Sequence, residues 1–143
     1  MTVRLLLQKK SASLVTISPD ATLTQAVSSL AEHRIGAIVA VSSDRRLEGI
    51  LSERDVVRIL AEKGTEVLSS PVSSVMTRAV VTCAPDDAIS VIMERMTRGR
   101  FRHVPVVENG RLTGIISIGD VVKHRVEEME RESAELRDYI MTA

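Results

Sequence analysis

Thirteen residues in the middle of this chain return near its end, and that recurrence constrains the fold more than any bulk property. Arg46–Arg58 reads RLEGILSERDVVR and Arg111–Lys123 reads RLTGIISIGDVVK; the arginine, leucine, glycine, isoleucine, serine, aspartate and two valines are identical. Upstream the match weakens to pattern. Pro19-Asp20 aligns with Pro85-Asp86, and apolar positions stay apolar as far as Val41 and Val107. The offset drops from 66 to 65 between the two blocks, which places a one-residue difference in a turn. A lead-in is shared as well, since Val3, Leu6 and Leu7 have the spacing of Val72, Val75 and Met76. Self-similarity at a fixed period means one supersecondary unit used twice.

Within each half the elements follow from spacing. Val15-Thr16-Ile17 and Val80-Val81-Thr82 are short β-rich stretches ended by proline. Leu23, Ala26, Val27 and Leu30 recur at i, i+3, i+4 and i+7, and Ile89, Ile92, Met93 and Met96 repeat that helical stripe. Thr22 and Gln25 fit a capping box at the first helix, whereas the matching Ala88 has no capping oxygen. Ala37 to Val41 and Val104 to Val107 are continuous apolar runs that suit buried strands. Asn109-Gly110 supplies the positive φ that a tight hairpin favours, and Leu47 to Leu51 and Leu112 to Ile116 return into a second helix. Each half is thus β-α-β-β-α, and neither can cover both faces of its sheet alone. Residues 61 to 75 read as a linker, with Gly64 closing a helix and Ser69-Ser70-Pro71 unable to continue one. Beyond the second repeat, Val122, Val126, Met129, Ser133, Leu136 and Ile140 form a heptad-like seam on a helical tail.

Composition then removes whole classes of function. Nineteen basic residues balance nineteen acidic ones, which argues against a nucleic-acid phosphate binder. Phe101 and Tyr139 are the only aromatics, so no base-stacking platform exists. One cysteine, Cys83, excludes an internal disulfide and a cysteine-cluster zinc site. No apolar run approaches the roughly 18 residues of a membrane span, and Leu5-Leu6-Leu7 followed by Gln8-Lys9-Lys10 is not a signal peptide. A soluble, cytoplasmic protein is expected.

The chemistry concentrates in Gly-x-x-Ser-x-x-Asp, present as Gly49, Ser52, Asp55 and as Gly114, Ser117, Asp120. Each copy sits where a strand enters a helix. There a glycine admits close backbone approach, and the first-turn N–H groups face outward to polar or anionic partners. An ionised aspartate accepts hydrogen bonds from two adjacent hydroxyls, as a ribose diol offers. Ser-x-x-Asp is equally a near capping box that needs no ligand. Two copies at equivalent places in a pseudosymmetric chain favour the ligand.

The doubled unit, with GILSERD and GIISIGD closing its strand pairs, resembles a tandem pair of CBS domains (a Bateman module), of the stand-alone bacterial type. Residues 101 to 122, FRHVPVVENGRLTGIISIGDVV, with Arg100 ahead of them, fit that pattern throughout, while the first repeat has Val39 opposite Pro105. The resemblance implies an α/β (α+β) fold: repeat 1 with its lead-in over 1–66, repeat 2 over 67–125, and a helical tail over 126–143. It also implies two clefts between the repeats that take an adenosine-containing ligand: AMP, ADP, ATP, NAD or S-adenosylmethionine. Carried over by motif position, Asp120 and Ser117 work with Ser18, Ile35, Gly36 and Ile115, and Asp55 and Ser52 work with Ala84, Phe101, Arg102 and Ile50. A phosphate could be neutralised by His103 beside Asp120, or by Arg54 and Arg102 beside Asp55.

Cys83 reads as a semi-buried thiol rather than a nucleophile, and His33, His103 and His124 lack metal-ligand spacing. No placed acid–base pair suggests an enzyme. The expectation is a regulatory module that senses an adenosine nucleotide, acts on an unknown protein in trans and forms a homodimer, with no nucleic-acid or membrane partner. The alternative is a dimerisation or adaptor protein whose pockets are vestigial.

Overall fold

A computed structural model describes residues 1–10 and 14–142; Ala143, the end of the expected tail, lies outside the described residues. The chain opens with helix α1 (Val3–Lys9), capped by the Thr2 hydroxyl. The first repeat follows as β1 (Thr16–Ile17), α2 (Leu23–His33), β2 (Ala37–Val41), β3 (Leu47–Ser52) and α3 (Glu53–Lys63). Two short 3₁₀ turns, Thr65–Ser69 and Val72–Ser74, lead to the second repeat: α4 (Ile89–Gly99), β4 (His103–Glu108), β5 (Arg111–Ser117) and α5 (Ile118–Thr142). Among the described residues, no helix is long and apolar enough to cross a membrane.

The local signals act as the sequence implies. Thr22 and Gln25 close a reciprocal capping box on α2, while Ala88 leaves α4 without a side-chain cap. Such caps contribute about 1 kcal/mol each. Leu23, Ala26 and Leu30 are buried on α2, and Ile89, Ile92 and Met96 on α4. Asn109 and Gly110 take φ of 53° and 77° in the hairpin that joins β4 to β5. The first sheet has the order β1-β2-β3, with β1 parallel and β3 antiparallel to β2. The second is the antiparallel pair β4-β5. No strand forms at Val80–Thr82; its place is taken by a single parallel bridge, Cys83 to Val106. The expected strand thus contracts to one residue, held by the Cys83 N–H to Pro105 and the Val107 N–H to Cys83.

The lead-ins cross over. Val3 and Leu6 of α1 are buried with Ile92, Val104, Ile116 and Val121 in the core of the second repeat. Val67, Val72 and Met76 are buried with Leu23, Ile38, Leu51 and Ile59 in the core of the first. Backbone bonds fix the exchange: the Val3 N–H donates to the Asp87 carbonyl, and the Val72 N–H to that of Ala21. Residues 61–75 therefore build a core instead of merely linking two, and the N-terminal lead-in packs with the repeat that follows it latest in sequence. The Leu112 N–H also donates to the Arg45 carbonyl, joining the two hairpins. α5 runs unbroken from the second motif through the tail, so no structural break separates 125 from 126. Only Val121 and His124 of α5 are buried, and Val122, Val126, Met129, Leu136 and Ile140 are exposed along it.

Candidate functional site

Each Ser-x-x-Asp copy forms the start of a helix. The Asp55 N–H donates to Ser52 Oγ at 3.2 Å, and Asp55 Oδ2 accepts from the Ser52 N–H at 3.0 Å. The second copy repeats this, with the Asp120 N–H on Ser117 Oγ at 3.1 Å and the Ser117 N–H on Asp120 Oδ2 at 2.9 Å. The helix starts are then fastened to their own repeats, by the Glu53 N–H to the Gly36 carbonyl and the Ile118 N–H to the Arg102 carbonyl. Both aspartates therefore work as helix caps, with or without a ligand.

What differs is the remaining partner. Asp55 Oδ1 accepts from Arg58 at 3.1 Å, one turn along its own helix. Asp120 Oδ2 instead accepts from Lys10 Nζ at 2.9 Å, and the same ammonium donates to the Ile115 carbonyl at 3.0 Å. Burial alone would raise the Asp120 carboxyl. The Lys10 hydrogen bond, the Ser117 N–H and the lysine charge outweigh it and hold Asp120 below the usual carboxylate range.

Two clefts open between the repeats, of about 380 and 680 Å³, in the size range of small-molecule sites. The smaller one joins Ile35 and Gly36 of the first repeat to His103, Ile115 and Ser117 of the second, with Leu7, Lys10, Leu14, Val15 and Arg34 completing the wall. Asp120, expected in this wall, lines neither cleft: Lys10, which does line it, covers the Asp120 carboxylate. The larger one joins Ile50, Ser52, Arg54 and Asp55 to Phe101 and Arg102, with Glu53, Thr77, Val80, Val81 and Arg100 around them. Gly36, His103 and Ser117 belong to both walls, so the clefts are neighbours. Burial, then the charges of Lys10 and Arg102, push the His103 imidazole below its ordinary value, against the pull of Glu53 and Asp120.

Ser18 and Ala84 lie outside both walls, against the expectation. Each is exposed and turned into the bend that precedes its helix: Ser18 Oγ accepts from the Asp20 N–H, and the Ala84 N–H donates to Asp87. The motif glycines also serve another purpose than ligand approach. A Cβ on Gly49 would stand 2.6 Å from Met76 Sδ, and one on Gly114 would stand 2.8 Å from the Leu7 δ carbons. They seat the crossed lead-ins. Lys10 escapes a reading of the motifs, although a signal exists: continuing the lead-in register from Leu7/Met76 pairs Lys10 with Ala79, which lines the other cleft. Cys83 is buried, and burial with the nearby Asp87 pushes its thiol up to about 11, so it stays protonated at neutral pH. Among the described residues, no cluster of three or more His, Cys, Asp or Glu could hold a metal ion.

Paired clefts walled by Ser52 and Asp55 of one motif copy and by Ser117 of the other agree with the comparison to known families, in which the CBS domain matches residues 10–62 and 72–127. The chain belongs to the CBS domain family. As a tandem CBS pair it superposes on the CBS-domain containing protein of Agrobacterium tumefaciens with a TM-score of 0.82 at 48% identity, covering 87% of this chain and 99% of that one. A CBS domain protein of Pyrobaculum aerophilum complexed with AMP gives a TM-score of 0.75 at 30% identity, covering 84% and 89%. A mitochondrial CBS domain-containing protein of Arabidopsis thaliana is 36% identical over 85% of this chain and 61% of its own. This CBS pair thus spans about three fifths of the length of that curated relative.

Proposed function

We propose that this CBS pair is a regulatory module that binds an adenosine nucleotide between its repeats and acts in trans, in the cytoplasm, on a partner protein. The observation that carries it is the make-up of each cleft wall: motif residues of one repeat (Ser52 and Asp55 in the larger cleft, Ser117 in the smaller) face residues of the other repeat, so a ligand in either cleft would touch both. A ligand that bridges two bodies shifts their arrangement by its differential affinity for the closed form. The Pyrobaculum relative, complexed with AMP, supports an adenosine-containing ligand. ADP, ATP, NAD and S-adenosylmethionine offer the same adenosyl handle, and the cationic walls favour those with phosphate.

A second reading has its own observation. Both aspartates are already satisfied as caps, and α5 exposes an apolar seam, which suits a homodimerising adaptor with vestigial clefts. A thermal-shift panel of adenine and guanine nucleotides, NAD and S-adenosylmethionine separates the two. Selective stabilisation by adenine ligands at micromolar concentration is the expected result; no shift with any of them assigns the chain to the adaptor class.

A further inference from the structure

The two clefts are copies under the repeat, and their charges are not. Arg34 and Arg100 match, as do Ser117 and Ser52. The larger cleft adds Arg54 and Arg102, whose repeat counterparts Gly119 and Gly36 carry no charge. The smaller cleft adds Lys10 where the larger has Ala79. Lys10 reaches Asp120 from 110 residues away, and both side chains are largely screened from water, at 26% and 24% exposure. An ammonium has three donors, and two of them are committed to Asp120 and to the Ile115 carbonyl. A ribose diol that takes both Asp120 oxygens therefore competes with Lys10 for Oδ2, which already accepts from Lys10 and from the Ser117 N–H. The cation it displaces is left inside a half-buried wall that already holds Arg34 and His103. A partly desolvated charge without a counter-charge is costly, so the favoured ligand is one that brings its own anion to re-pair it.

We propose that Lys10 is the specificity-determining residue of the Asp120 cleft, selecting 5′-phosphorylated adenosine over the neutral nucleoside by exchanging Asp120 for the ligand's phosphate. This rests on the nucleotide-sensor reading and deepens it. A neutral nucleoside whose diol takes both Asp120 oxygens breaks the Lys10–Asp120 pair without replacing it, whereas a phosphate gives the ammonium a second home in the same wall.

The test is calorimetric titration of the full chain with AMP and with adenosine, in the native protein and in Lys10→Met, which keeps the apolar stem. The native chain is expected to prefer AMP by about tenfold or more, the scale of one hydrogen bond to a charged group. In Lys10→Met the ratio should collapse from both sides, AMP weakening and adenosine tightening as Asp120 is freed. Lys10→Arg should retain the preference. Lys10→Gln supplies the same comparison if Lys10→Met loses its melting transition. An unchanged ratio in the neutral variant, or an equal loss for both ligands, overturns the role of Lys10 while leaving the sensor reading intact. Failure of both ligands to bind the native chain overturns the two together.

Discussion

The δ carbons of Leu7 lie 2.8 Å from where a Cβ on Gly114 would stand. One residue belongs to the first helix of the chain and the other to the return strand of the second repeat, so a motif glycine is spent on closing the molecule. At Gly49 the equivalent space is limited by Met76 Sδ at 2.6 Å and also by the Thr77 carbonyl at 2.8 Å. The two glycines should therefore respond differently to relief. Gly114→Ala is expected to cost about 1–3 kcal/mol through overpacking, and Leu7→Ala should absorb most of that cost in the double variant. Gly49→Ala should stay costly beside Met76→Ala, because a backbone oxygen remains in the way. Urea melts of the two double-mutant cycles measure it; additive losses at Gly114 and Leu7 would contradict the contact.

Asp120→Asn should weaken a ribonucleotide by about tenfold or more, since each hydrogen bond to a charged partner contributes about 1.5–3 kcal/mol. The fold should suffer less, because the asparagine side-chain oxygen can still accept from the Ser117 N–H and the Ser117 hydroxyl still caps the helix. A 2′,3′-dideoxy analogue should bind the native chain as poorly as the parent nucleotide binds the variant. Equal affinity for the two nucleotides by calorimetry would remove the diol from the recognition.

Acidification should destabilise the protein in two steps. His103 has a folded pKa below its ordinary 6.5, so its contribution is complete above 6.5 and declines as pH falls from there towards the folded value. Asp120 has a folded pKa below 3.8, so its contribution persists above that value and is lost as pH falls through the folded one. Denaturant midpoints measured from pH 8 to pH 3 should show the first decline in the native chain and its disappearance in His103→Gln. A decline near 6.5 that survives in the variant would assign it to another group.

Removal of residues 127–143 keeps Val121 and His124, the two buried positions of α5, and removes the exposed Met129, Leu136 and Ile140. The repeats should fold as before. If the seam buries itself in a second copy, as two-fold association commonly arranges, light scattering should report a lower mass or a dimer weaker on dilution. A truncated chain that dimerises with undiminished affinity moves the contact to the repeats and leaves the tail for a partner in trans.

Periodicity was legible where one segment carried the whole signal. Leu23, Ala26 and Leu30 declare the buried face of α2, Thr22 with Gln25 its start, and Asn109-Gly110 the tight hairpin. The strand expected at Val80–Thr82 failed because β-branched residues state only a preference, and here the neighbouring strand accepts one bridge, at Cys83. Motif position points Ile35, Gly36, Phe101 and Arg102 to the cleft walls, where the structure has them, and points Ser18 and Ala84 there as well, but local turn bonds hold those two outside. Lys10 was illegible for a different reason. Its meaning comes from a partner 110 residues away, and only the three-dimensional crossing of the lead-ins brings the two together.

That crossing also sets the order in which the molecule can be completed. Residues Val72 and Met76 leave the ribosome soon after the strands they cover, so the first core can close while the second is still being made. Val3 and Leu6 are synthesised before the whole of the second repeat, yet Ile92, Val104 and Ile116 must exist before either can join its core. Arg4 then meets Asp86 across 82 residues of chain. This early-made segment therefore docks only after the strands of the second repeat have been synthesised.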